Sequence, residues 1–121
     1  MRGADSITKW WWHCLEIGEI STTEYENLAP DWESKPSPPI LKEDLYQAYV
    51  KWVGKGKHSE HITSFGRKIK KLAKPETKRP VFEGTQRWCY VLPRLDECRA
   101  HFEKQIKQPI AWGDGVEAEA A

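Results

Sequence analysis

Lysine and arginine are the residues of this chain whose number and spacing promise chemistry, and they are concentrated in one place. Between residues 51 and 91 stand eleven basic side chains against Glu60, Glu76 and Glu83, a net charge of +8. The rest of the chain carries eight basic and fifteen acidic groups, a net −7, so the overall +1 conceals a basic block between acidic flanks. Clustered cations without local counter-charges gain most by neutralising an external polyanion, so the block implies a polyanion-binding surface. Its centre is residues 62–73, Ile-Thr-Ser-Phe-Gly-Arg-Lys-Ile-Lys-Lys-Leu-Ala. At about 100° per residue, Ile62, Phe65, Gly66, Ile69, Leu72 and Ala73 fall within one arc of about 120°. Thr63, Ser64, Arg67, Lys68, Lys70 and Lys71 fill the remaining circumference, and Lys74 follows. The spacing predicts a helix with a dry face and a cationic face. Gly66 on the dry face costs roughly 1 kcal/mol of helix propensity against Ala, which predicts another element packed closely there.

Other chemistry is thin. His58-x-x-His61 and Cys98-x-x-His101 have spacings that zinc uses, but neither pair has a matching half. Gly54-Lys-Gly-Lys57 lacks the Gly-Lys-Ser/Thr of a phosphate-binding P-loop. No Ser/His/Asp or Cys/His grouping lies where a turn would assemble it. The expectation is therefore a protein with no catalytic centre, metal or cofactor. Cys14, Cys89 and Cys98 are odd in number and form no CxxC pair, and no secretory signal precedes them, which fits a reducing cytoplasm. No apolar run approaches the roughly 18 residues of a membrane span.

Around the basic helix, hydrophobic periodicity predicts the elements that must position it. Residues 7–17 read as a helix capped by Asp5 or Ser6 and stopped by Gly18. Its Trp10-Trp-Trp12 run is expected to be buried, against the core or a neighbouring domain, rather than to form a base-stacking platform. Residues 19–40 read as an acidic, proline-rich connector, with a helical turn at 22–28, an extended run at 34–39 and Trp32 pinning it to the body. Leu41, Leu45, Ala48, Tyr49, Trp52 and Val53 recur at helical spacing and predict a helix over 42–53. After the basic helix ends at Pro75, residues 77–92 read as strand, turn and strand, with the turn at Glu83-Gly-Thr-Gln86. Pro93 closes the hairpin, a last helix covers 95–107, and the acidic tail reads as disordered.

Helix, connector, helix, short turn, basic helix, basic hairpin is the order of a winged helix-turn-helix, in which the third helix enters a major groove about 12 Å wide. The predicted class is mainly α with a β-hairpin (α+β): three core helices, a wing and a C-terminal helix. The predicted divisions are 1–18 for the tryptophan-rich helix, 19–40 for the connector, 41–92 for the winged-helix core, 93–108 for the last helix and 109–121 for the tail.

Leu45-Tyr-Gln-Ala-Tyr49, then Ser64-Phe-Gly-Arg-Lys68 with Ile69, then Lys78-Arg79 and Gly84-Thr85 before an aromatic strand, resemble the regulatory factor X type of winged helix. More closely, they resemble the C-terminal winged-helix domain of phage and viral primase-helicases, and Ser6-Ile-Thr-Lys-Trp-Trp-Trp-His-Cys-Leu15 resembles the helix that opens that module. The likeness covers residues 6–92; it departs from the pattern in the long connector and in lacking a Walker motif. It implies the DNA-binding end of a replication protein, or an accessory protein, acting in the host cytoplasm. The implied partners are duplex DNA and a helicase or primase motor, the latter through the Trp10–Trp12 helix. A stand-alone repressor, dimerising through the first or last helix, and a protein-docking module are the rival expectations. On the helical arc, Ser64, Arg67 and Lys71 are the expected groove contacts, with Lys68, Lys70 and Lys74 on phosphates. Lys78, Arg79, Gln86 and Arg87 are the expected wing contacts.

Overall fold

In a computed structural model, which describes residues 5–20, 27–54 and 59–110, the chain is a mixed α+β fold. Among the described residues it has four helices: α1 (Ser6–Ile17), α2 (Lys42–Val53), α3 (Ile62–Ala73) and α4 (Leu95–Ile106). Five short strands accompany them: β1 (Ile40–Leu41), β2 (Glu76–Lys78), β3 (Val81–Phe82), β4 (Thr85–Gln86) and β5 (Cys89–Val91). The expected turn at 22–28 falls largely on residues 21–26, and His58 and the tail from 111 onward also lie outside the described residues.

Local signals set the helix ends. The Asp5 carboxylate accepts the Thr8 amide at 2.7 Å, satisfying one of the orphan donors at the start of α1. Gly18 ends α1 in the left-handed conformation at φ 75°, with its amide on the Cys14 carbonyl. Arg99 of α4 donates to the Leu15 carbonyl at 2.9 and 2.7 Å, so a cation from another helix caps this C-terminus.

Aromatic packing joins α1, α2 and α3 into one core. Phe65 is buried, as its place on the dry arc predicts, and its ring stacks on Tyr49 at 5.1 Å. Tyr46 and Trp10 flank it at 5.4 and 5.6 Å. Of these rings, the fully buried Phe65, Tyr49 and Trp10 each contribute on the order of 1.5–3 kcal/mol relative to exposure. The tyrosine hydroxyls also tie down the approach to α3. Tyr46 Oη donates to the Glu60 carbonyl, and Tyr49 Oη accepts the Glu60 amide, both at 2.8 Å. The α2–α3 angle is thereby fixed by packing and by hydrogen bonds together.

The sheet is antiparallel, in the order β1-β5-β2, with a separate β3-β4 ladder. One register runs through the hairpin. Glu76 faces Val91, Lys78 faces Cys89, Val81 faces Gln86 and Phe82 faces Thr85. The turn is Glu83-Gly84 alone, with φ of 48° and 81°, the positive values that a two-residue hairpin turn requires. Thr85 and Gln86, expected in the turn, are strand. Pro80 interrupts the ladder because it has no N–H to give, and the Arg87 amide bond to the Pro80 carbonyl spans the gap, at 3.1 Å.

The stretch expected to be a connector is extended where prolines demand it, but it is also part of the core. Ile20, Ala29, Trp32, Ser37 and Ile40 are buried. Trp32 pins the segment as expected, its indole N–H donating to the Pro93 carbonyl at 2.8 Å. Ser37 and Leu92 exchange bonds, Ser37 N to Leu92 O at 3.0 Å and Leu92 N to Ser37 Oγ at 2.9 Å. From there Ile40 and Leu41 pair with Tyr90 and Cys89 as β1, a strand with too few residues to read from sequence. Among the described residues no helix is long and apolar enough to cross a membrane.

Candidate nucleic-acid interface

The exposed face of α3 runs between two neighbours. On one side lies α1, where the Lys68 ammonium meets the Asp5 carboxylate at 3.0 Å. Burial opposes ionisation of Asp5, yet the Thr8 donors and Lys68 outweigh it and hold the carboxyl below the usual range. On the other side lies the sheet, where the Tyr90 hydroxyl would sit 3.4 Å from a Cβ at position 66. This is the close neighbour that Gly66 predicts, although the distance is ordinary van der Waals contact.

Between α3, the start of α2 and β5 lies a cleft of about 320 Å³, lined among others by Lys42, Thr63, Gly66, Arg67, Lys70 and Tyr90. Three cations thus face one concavity, and among the described residues none of them makes an ion pair. Burial lowers the Lys42 pKa and the nearby Lys70 charge lowers it further, as expected for like charges brought together without an acid. A second cleft of about 350 Å³ adjoins it at Lys42 and is lined by Leu41, Glu43, Thr85, Gln86, Arg87 and Trp88.

The ten residues expected at the interface separate by their partners. Arg67, Lys70, Lys71 and Lys74 are exposed along α3 and at its end, whereas Ser64 is half-buried. Lys74 occupies the left-handed region at φ 49°, where glycine is the usual residue. Lys68, expected on phosphate, is held by Asp5, and Arg87 is held by Glu43 at 2.6 Å. Lys78 lies 4.0 Å from Glu76, and Gln86 is exposed on β4. Arg79 has its guanidinium 5.1 Å from the centre of the Trp88 ring.

Two residues of the interface escape sequence reasoning, Lys42 and Trp88. Lys42 follows an apolar residue at a helix start, a position where the helix dipole disfavours a cation; that misplacement is the signal it carried. Trp88 reads as an ordinary strand aromatic, yet it is 48% exposed.

The remaining chemistry-bearing residues have structural partners. His61 caps α3 by accepting the Thr63 amide on Nδ1 at 3.2 Å. Cys98 is buried, donates weakly to the Pro93 carbonyl at 3.3 Å, and has its thiol pushed up to about 12 by desolvation. His101 Nε2 lies 2.9 Å from the Lys71 carbonyl, joining α4 to α3. Trp10 and Trp11 are 2% and 0% exposed, and Trp12 is half-buried against Phe102 at 6.0 Å. Trp10 and Trp11 are therefore core, and Trp12 lies at its edge.

Comparison with protein-family models, with curated proteins and with solved structures gives no match.

Proposed function

We propose that the chain is a non-catalytic DNA-binding domain of the winged helix-turn-helix type, with α3 as the recognition helix and residues 76–91 as the wing. One observation carries the reading: Arg67, Lys70 and Lys42 converge on one concavity with no acid paired to them among the described residues. Uncompensated cations on a helix standing beside a basic hairpin suit a phosphate backbone running from helix to hairpin. Duplex DNA is the proposed ligand, because a helix with an exposed cationic face is what a major groove about 12 Å wide admits. The resemblance adds phage-type replication as the setting, with the chain as the C-terminal module of a primase-helicase or its accessory protein. On the two helices that a repressor dimer or a docking module would use, Trp10, Trp11, Cys98 and Phe102 are buried, while Ile17 is exposed.

The test is binding of a labelled duplex measured across salt concentrations. If about five to seven phosphates are neutralised, log affinity falls against log salt with a slope of about −4.5 to −6. Arg67 and Lys71 changed together to Ala keep good helix formers on an outer face, so the fold should persist. Loss of two contacts is expected to weaken binding by at least about 2 kcal/mol, on the order of thirtyfold. A slope shallower than about −2, or unaltered binding by the folded double variant, would sink the reading.

A further inference from the structure

The interruption at Pro80 places three residues from three strand ends side by side. The hairpin register, carried from Lys78 opposite Cys89, sets Arg79 opposite Trp88. The β1–β5 register, carried one residue beyond Leu41 opposite Cys89, sets Lys42 beside Trp88 on its other flank. The Lys42 amide donates to the Trp88 carbonyl at 3.3 Å, fixing the start of α2 to this point of the hairpin. Trp88 therefore stands between two cations. Lys42 Nζ lies 5.4 Å from its ring centre and Arg79 Cζ lies 5.1 Å from it. Lys42 also reaches the Tyr90 ring at 5.3 Å.

How a cation is held decides whether it remains available. Lys68 and Arg87 are held by carboxylates, which cancel their charge. Lys42 and Arg79 are held by an indole, whose quadrupole orients a cation but leaves its full charge to the surroundings. An aromatic spacer is an efficient way to fix two flexible cations for a third party. The rotamer freedom they would otherwise lose on binding has already been restricted. Lys42 also borders both clefts, so it links the α3 cations to the wing.

We propose that Lys42, Trp88 and Arg79 form a phosphate clamp at the root of the hairpin, in which Trp88 is a positioning residue holding two cations against the phosphodiester backbone. The clamp rests on the DNA reading above and extends it: the backbone continues past α3, over the start of α2, to the wing root. Its ligand is the sugar-phosphate chain and not a base, since the groups that the indole holds out are two cations.

The experiment measures the salt slope of duplex binding for Lys42→Ala, Arg79→Ala, Trp88→Leu and Trp88→Phe, beside wild type and the Arg67/Lys71 double variant. Lys42→Ala and Arg79→Ala should each make the slope shallower by about one. Trp88→Leu removes no charge, so it should keep the slope and weaken binding on the order of fivefold, while Trp88→Phe, which keeps a π face, recovers most of that loss. Thermal unfolding checks that each variant is folded, and should Trp88→Leu unfold, the two cation variants and Trp88→Phe still decide. If wild type has a steep slope that the double variant reduces, but Lys42→Ala and Arg79→Ala leave it unchanged, the clamp is wrong and the DNA reading stands. If wild type itself shows a shallow slope, the DNA reading fails first. A fluorescent base analogue placed as an unpaired nucleotide beside the duplex tests the competing role. Quenching that Trp88→Leu abolishes would mean that the indole stacks on a base, and would overturn the clamp.

Discussion

Both sides of α3 carry a tryptophan and a lysine, yet they use them oppositely. On the α1 side, Trp10 is sealed against Phe65 and Tyr49, and Lys68 is spent on Asp5. On the sheet side, Trp88 is half in solvent, and Lys42 lies against its ring with no acid partner among the described residues. The first side is dry and neutral, and its interactions stabilise the fold. The second is wet and charged, and its Lys42 is disfavoured as a cation first by partial burial and then by the Lys70 charge. Like charges brought together without an acid are costly to a free protein, and a bound anion would relieve that cost.

Removing a core ring tests the dry side most severely. Trp11→Ala deletes a fully buried indole packed on Trp10 and Trp32, so it should cost about 3–5 kcal/mol. The thermal midpoint should fall by more than about 10 °C. A midpoint within a degree or two of wild type would mean that this side is not the core of the molecule.

The end of α3 sharpens the contrast between stability and binding. Lys74 adopts φ 49°, a conformation that costs a side-chain-bearing residue about 1–2 kcal/mol relative to the right-handed region and that glycine adopts freely. Lys74→Gly should therefore stabilise the fold by about 1 kcal/mol while weakening duplex binding. Calorimetry and a binding titration on the same sample should move in opposite directions. A gain in stability together with unchanged binding would show that Lys74 is only a helix stop.

Asp5 tests the neutralised side with the smallest expected effect. Asp5→Ala removes a helix cap and should cost about 1 kcal/mol. Because the folded-state carboxyl is held below its unfolded value, its stabilisation is complete above the unfolded range near pH 3.9. It is lost as pH falls through the lower, folded value. The gap between wild-type and variant midpoints should thus narrow on acidification below about pH 4. A gap that widens there would reverse the sign of the shift.

The four helices were legible because their determinants are local. Caps at Asp5 and Gly18, the stop at Pro75 and the spacing of Leu45, Ala48 and Tyr49 all act within a turn or two of the residue concerned. The same is true of the dry arc of α3 from Phe65 to Ala73, and hence of the exposed positions of Arg67 and Lys71. Ile62, expected on that arc, is exposed in the first turn, where no element covers it. Length of contact, not chemistry, decided what stayed hidden. Asp5 and Lys68 are 63 positions apart, Glu43 and Arg87 44, and Lys42 and Trp88 46, so no periodicity records their meeting. The proline-rich stretch read as a linker because its composition is polar, and only its pairing with Leu92 and β5 made it core. Composition placed the positive charge in one third of the chain. Helix packing set Lys68 on Asp5, and strand register, which no single segment encodes, set Arg79 beside Trp88.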